Sequence, residues 1–256
     1  MIIFSAIMPS SPVLKKDCLN SELLTEALFG EKLVVLDTSK NYSYVRLLND
    51  HYCGWMNSDH ISSLIEPSHR VINTRSLVYN DANIKAKYIC YLPMGSFVKV
   101  KKIEHQWANI KLFNNHEDVS AYVLKKDLVP INNKKSDWVQ YAEKLINTPY
   151  KWGGKDTIGI DCSALVQLST QTAGINFPRD TSDQINFLQQ SQIQLESCKR
   201  GSLVFWRGHV AIFVNKKSII HANGYHMSTI IENFSDANSR ITEVYGNVIK
   251  FFDILD

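Results

Sequence analysis

The feature that most constrains the fold of this chain is a run of short strand-like segments that occurs twice. Gly30-Glu31-Lys32-Leu33-Val34-Val35-Leu36 is echoed by Gly95-Ser96-Phe97-Val98-Lys99-Val100-Lys101. Tyr42-Ser43-Tyr44-Val45-Arg46-Leu47 is echoed by Gln106-Trp107-Ala108-Asn109-Ile110-Lys111-Leu112, and Cys53-Gly54-Trp55-Met56 by Ser120-Ala121-Tyr122-Val123. From Gly30 to Gly95 the offset is 65 residues, and a fixed offset marks one module used twice. The segments are rich in β-branched and aromatic residues and are separated by turn formers such as Asn49-Asp50-His51. Two small β-barrels are therefore expected at 1–67 and 68–130, with one larger sandwich of similar strands as the alternative.

The texture changes after a polar linker at 131–136. Ser136 is a suitable N-cap, and Trp138, Tyr141, Ala142, Leu145 and Ile146 recur at helical spacing before Pro149, which predicts a helix over 137–147. A second helix is predicted from Cys162 to Ala173, with Gly174 as its C-cap, and a third over 181–190. Strands are predicted at 202–207, 209–214, 218–221, 227–231 and 246–252. Helices first and antiparallel strands after make 137–256 an α+β domain.

At 256 residues the chain suits two or three domains, and its 45% apolar content supports ordinary cores. A net charge of +3, with no Lys/Arg run longer than two, gives no basis for nucleic-acid binding. The apolar start, Met1-Ile2-Ile3-Phe4-Ser5-Ala6-Ile7-Met8-Pro9, has no preceding basic residue and is too short to span a bilayer. Five cysteines with no metal-type spacing fit reduced thiols. A cytoplasmic protein with no membrane association is expected, with export by an unrecognised route as the alternative; a monomer is expected.

Cys162 stands where a glycine-bearing loop, Trp152-Gly153-Gly154-Lys155-Asp156-Thr157-Ile158-Gly159, gives way to an apolar helix. On the first turn of a helix, unpaired N–H groups and the helix dipole favour thiolate, which is the nucleophilic form. A base is needed to take the thiol proton, and a third group to orient that base. His209 opens one predicted strand and His221 ends the next, so an antiparallel pairing brings the two to the same end of a hairpin. A buried structural cysteine, or a zinc site from Cys162, His209 and His221, are the competing uses of these residues.

Several ordered motifs carry a resemblance: Tyr150-Lys151-Trp152-Gly153-Gly154, Gly159-Ile160-Asp161-Cys162-Ser163, Phe177-Pro178-Arg179-Asp180 with Gln184, Gly201-Ser202-Leu203-Val204-Phe205-Trp206, His209-Val210-Ala211-Ile212 and Ile220-His221-Ala222. Over about 137–255 the chain resembles the NlpC-type cell-wall peptidases, which are papain-like cysteine enzymes. The resemblance implies a triad of Cys162, His209 and His221. Tyr150 is then an oxyanion support, with Asp161, Ser163 and Arg179 around the substrate. Ala164, Ser202 and Tyr44 depart from the family's usual residues without touching those roles.

With two bacterial SH3-like modules in front, the chain resembles the subgroup that cleaves γ-D-glutamyl-diamino acid bonds of recycled muropeptides. In that subgroup an acidic residue and a tyrosine of the first module recognise the free amine, and the matching positions here are Glu22 and Tyr52. The resemblance implies a peptidase acting on peptidoglycan stem peptides without a cofactor, and the sequence leaves open whether the diamino acid is diaminopimelate or lysine. A non-catalytic wall-binding protein and an acyltransferase on the same scaffold are the rival functions.

Overall fold

The computed structural model describes residues 2–114 and 117–254. Met1, at the head of the apolar N-terminal run, and the last two residues of the expected catalytic domain lie outside them. The chain divides into two units, 1–133 with 155–157, and 134–154 with 158–256.

The first unit is built of strands. β1 (Phe4–Ala6), β2 (Ser10–Leu14), β3 (Leu23–Leu28), β4 (Lys32–Ser39), β5 (Tyr42–Leu47), β6 (Cys53–Asn57) and β7 (Ile61–Ser63) form one sheet in the order β3-β2-β6-β5-β4-β1-β7. The alternation of polar and apolar residues explains the faces: along β5, Ser43, Val45 and Leu47 turn inward. Ala6, Val13, Ala27, Leu33, Val45, Leu47, Met56 and Ile61 make the core of this sheet.

The repeat continues with β8 (His69–Val71), β9 (Arg75–Tyr79), β10 (Tyr88–Pro93), β11 (Phe97–Val98), β12 (Val100–Glu104), β13 (Trp107–Asn114), β14 (Glu117–Leu124) and β15 (Leu128–Pro130). They form a five-stranded sheet, β10-β9-β14-β13-β12, and a three-stranded one, β11-β8-β15. A second core, including Val71, Val78, Ile110 and Val123, also takes in Phe29 and Ile65 from the earlier segment. Phe97 N donates to Phe29 O at 2.8 Å beside Gly30, whose φ of +79° and close backbone contact with Phe97 leave no room for a side chain. The two halves of 1–133 therefore share apolar side chains.

Residues 155–157 complete this unit. Lys155 Nζ pairs with Glu31 Oε1 at 2.6 Å, both side chains being almost fully buried, and Lys155 N donates to Glu26 Oε2 at 2.8 Å. Tyr91 Oη donates to Asp156 Oδ2 at 3.0 Å, and Arg75 Nη2 to Thr157 O at 3.1 Å.

The second unit opens with α1 (Val139–Glu143), which is shorter than the pattern over 137–147 predicts. The chain continues as turns to Asn147, whose φ of +67° ends helical geometry ahead of Pro149. α2 (Cys162–Ala173) has the predicted bounds: Asp161 caps its start by accepting from Ala164 N, and Gly174, at φ +91°, ends it. α3 (Thr181–Phe187) follows.

Strands β16 (Gln192–Ile193), β17 (Leu203–Trp206), β18 (His209–Phe213), β19 (Ser218–Asn223), β20 (Ser228–Asn233) and β21 (Lys250–Phe252) form an antiparallel sheet in the order β16-β21-β17-β18-β19-β20. The order of helices first and strands after is broken by α4 (Phe234–Tyr245), which lies between β20 and β21. It is capped by Asn233 and buries Ala237 and Ile241, four residues apart, against Trp206, Phe213 and Ile219 of the sheet core. Among the described residues, no helix is long and apolar enough to cross a membrane.

Candidate active site

Cys162 is the first residue of α2 and is buried. Its Sγ lies 4.0 Å from the Gly208 carbonyl, in the turn between β17 and β18. Gly208 has φ +73°, which lets the chain reverse in two residues so that Trp206 and His209 pair directly. The next residue, His209, is thus held at the start of β18.

The register of the next hairpin decides the rest. Ile212 pairs with Ile220 and Phe213 with Ile219, so His209 and His221 fall diagonally on one face. His209 Nε2 and His221 Nδ1 are 2.8 Å apart. Each imidazole spends one nitrogen on the other, a hydrogen-bonded arrangement rather than a convergence of lone pairs on a metal; among the described residues no three His, Cys, Asp or Glu side chains are grouped to hold one. The His209 ring lies between Trp206, with centroids 5.7 Å apart, and Tyr245, stacked at 6.4 Å and 20°.

His221 does not stand alone. Its Nε2 is 2.7 Å from Glu232 Oε1, and Arg240 donates to both Glu232 oxygens. The Arg240 guanidinium also lies 4.4 Å over the Tyr225 ring. Glu232 went unseen in the sequence because the predicted strand stops at Ile231. With β20 running to Asn233, Glu232 pairs with Ile219 and shares the face of His221.

Burial sets the protonation states. It pushes the Cys162 thiol up to about 12, helped by the adjacent Asp161 carboxylate and opposed by backbone N–H groups of Val210 and Ser163. Desolvation outweighs the helix start, so the expectation that this position favours thiolate at rest is corrected. Burial likewise pulls His209 down to about 3 and lowers His221, the latter against the pull of Glu232. Burial thus favours the neutral form of both the Cys162 thiol and the His209 imidazole. Tyr150 is raised, chiefly by desolvation and then by its proximity to Cys162, and so keeps an O–H to donate beside the sulfur.

Three of the expected substrate-binding residues meet in one buried network. Arg179 donates to both Asp161 oxygens at 3.0 and 2.7 Å and to Ser163 Oγ at 2.8 Å. Asp161 also accepts from Ala164 N and Gly153 N. This network pins the start of α2, and with it Cys162.

A cleft of about 480 Å³ opens beside the histidines, walled mainly by Tyr150, Trp152, Tyr225, Val244 and Tyr245. In the first unit, Glu22 is half exposed and paired with Lys15 Nζ at 2.8 Å, while Tyr52 packs on the first core.

Comparisons with known proteins match both ends of the chain. Residues 147–245 match the NlpC/P60 family, and residues 18–61 the bacterial dipeptidyl-peptidase Sh3 domain. The chain is 24% identical over 235 residues to dipeptidyl-peptidase 6 of Lysinibacillus sphaericus, covering 80% of this chain and 82% of that protein. It is 23% identical over 236 residues to the gamma-D-glutamyl-L-lysine dipeptidyl-peptidase of Bacillus subtilis, covering 80% and 74%. The crystal structure of an NlpC/P60 family protein from Bacillus cereus has the same fold, with a TM-score of 0.83 at 17% identity over 99% of this chain and 100% of that one.

Proposed function

Taking the chain as one that carries an NlpC/P60 domain behind a bacterial dipeptidyl-peptidase SH3 domain, we propose that it is a cysteine peptidase hydrolysing the γ-D-glutamyl-diamino acid bond of peptidoglycan stem peptides. The observation that carries this reading is Cys162 at the head of α2, beside the coupled pair of His209 and His221. We read 68–130 as a second SH3-like barrel, following the repeated strand pattern.

In this reading His209 takes the proton from Cys162 Sγ as sulfur attacks the γ-carbonyl of D-glutamate. Backbone N–H groups at the start of α2, with Tyr150 Oη, stabilise the oxyanion. The C–N bond breaks, His209 returns its proton to the leaving amine, and the acyl group stays on sulfur as a thioester. Water, losing a proton to His209, then releases the acyl dipeptide and restores the thiol. A proton delivered by His209 requires the leaving nitrogen on that side, so the cleft walled by Trp152, Tyr225 and Tyr245 receives the diamino acid portion.

The preferred peptide in this reading has a free L-alanine ammonium, as cell-wall recycling in the cytoplasm delivers. Glu22 and Tyr52 are its proposed readers, while Asp161, Ser163 and Arg179 shape the acyl side. Lys15 already gives Glu22 a cationic partner, and an exposed pair of this kind exchanges readily.

Mass spectrometry of digests of L-Ala-γ-D-Glu-diaminopimelate, its lysine analogue and the N-acetylated forms tests the proposal. Release of L-Ala-D-Glu from the free peptides is expected; no cleavage at the γ-bond overturns it. Equal rates on free and acetylated peptides, or an unchanged preference in Glu22→Gln, remove Glu22 from its role.

A further inference from the structure

The catalytic cycle above makes no use of Glu232, yet its carboxylate is wired to the base through two short hydrogen bonds. A carboxylate only accepts, so the proton shared between Glu232 Oε1 and His221 Nε2, 2.7 Å apart, belongs to His221. A neutral imidazole protonated at Nε2 has a lone pair at Nδ1. That lone pair faces His209 Nε2 at 2.8 Å, so His209 donates from Nε2 and keeps its own lone pair on Nδ1. We propose that Glu232 is a positioning residue that fixes the tautomer of His209 through His221, so that the base meets Cys162 with a lone pair rather than a proton.

The surroundings of Glu232 suit that task. Arg240 holds both carboxylate oxygens and is itself held by the Tyr225 ring, which leaves the carboxylate one orientation toward His221. Desolvation opposes ionisation, but the bonds from His221 and Arg240 prevail and hold Glu232 down to about 2, so it remains an acceptor throughout the neutral range. The other groups that bear on the relay are His226 and Arg240 toward His221, Tyr225 and Asp236 toward Arg240, Arg240 toward His209, and Tyr245 beside His209, with Cys162 Sγ against the carbonyl of the preceding Gly208.

Without this acceptor, His221 is free to carry its proton on Nδ1. His209 Nε2 then has to accept, its proton moves to Nδ1, and it cannot take one from the thiol. When His209 becomes an imidazolium in the reaction, the negative charge of Glu232 stabilises it through His221, and no proton needs to reach Glu232.

The inference rests on Cys162 and His209 being the reacting pair, and its first test needs no substrate. Histidine 15N shifts in the full-length Cys162→Ala protein at pH 7.5 report each ring's protonated nitrogen. His209 and His221 are both expected to carry the proton on Nε2; a proton on Nδ1 of either overturns the proposal, whatever any further variant does. Adding Glu232→Gln is expected to populate the Nδ1–H form of His221, and unchanged tautomers overturn it. In the active chain, Glu232→Gln should lower kcat by about 10–100-fold with KM within about twofold, and Glu232→Asp should recover part of the loss. A loss confined to KM, or none, overturns the role in catalysis. If the wild-type chain cuts no γ-D-glutamyl peptide, the functional reading fails while the tautomer measurement still decides this one.

Discussion

His209 Nε2 and His221 Nδ1 stand 2.8 Å apart on adjacent antiparallel strands, two residues out of direct register. In the proposed mechanism the pair divides the labour unequally, His209 taking the thiol proton and His221 holding its ring. His209→Ala removes proton transfer and should lower kcat/KM by about 10²–10⁴-fold. His221→Ala leaves a misoriented base and should lose less, about 10–100-fold. Steady-state kinetics on L-Ala-γ-D-Glu-diaminopimelate compares them; a greater loss at His221 reverses the assignment.

Cys162 is expected to be indispensable, and Cys18, Cys53 and Cys90 replaceable by serine, Cys198 by alanine because it is buried. Since burial keeps Cys162 as a thiol at rest, its alkylation by iodoacetamide should be slow at pH 7 and accelerate with rising pH. Peptide mapping between pH 5 and 10 reads the rate. A rate already at its plateau at pH 5 means a preformed thiolate–imidazolium pair instead.

The two lowered histidines make folding sensitive to acid. In the folded chain His209 stays neutral down to about pH 3 and His221 is also lowered, whereas both protonate near their ordinary 6.5 once unfolded. Below 6.5 the unfolded state therefore binds more protons, and stability falls as pH drops. Urea midpoints should be lower at pH 5 than at pH 7.5, with a smaller difference in His209→Gln. Equal midpoints in the wild-type chain contradict this.

Arg179 is the cation that satisfies Asp161 at the head of α2, and its side chain is almost fully buried. Replacing it with Met leaves the Asp161 carboxylate short of its counter-charge, which should cost about 3–5 kcal/mol of stability. Arg179→Lys should recover only part of this, because one ammonium cannot reproduce the two-pronged contact. Urea unfolding followed by near-UV circular dichroism gives the difference; a cost under about 1 kcal/mol places the cap's stability elsewhere.

The parts of the fold that were legible in the sequence are those where local signals agree. α2 was readable because a glycine-bearing loop at 152–159, an apolar run to Ala173 and a terminal Gly174 follow in order. The pairing of His209 with His221 was readable because their places at strand ends survive small errors in strand length. α4 was not, since Ser235, Asn238, Ser239 and Thr242 give it a weak helical signature and only Ala237 and Ile241 mark its inner face. Glu232 needed the exact end of β20, and the Tyr245 ring over His209 depended on α4, so both came only with tertiary structure.

The Lys155–Glu31 pair has a consequence for how this chain is made. The first unit takes a three-residue piece from well downstream of Asn133, so a ribosome that has released residues 1–133 has exposed Glu31 without the ammonium that later neutralises it. Until residue 155 emerges, the nascent sheets must keep that carboxylate hydrated or protonated, and their final closure waits on sequence from the loop ahead of α2. Assembly of the first unit is in this way timed by the arrival of the segment that leads into α2.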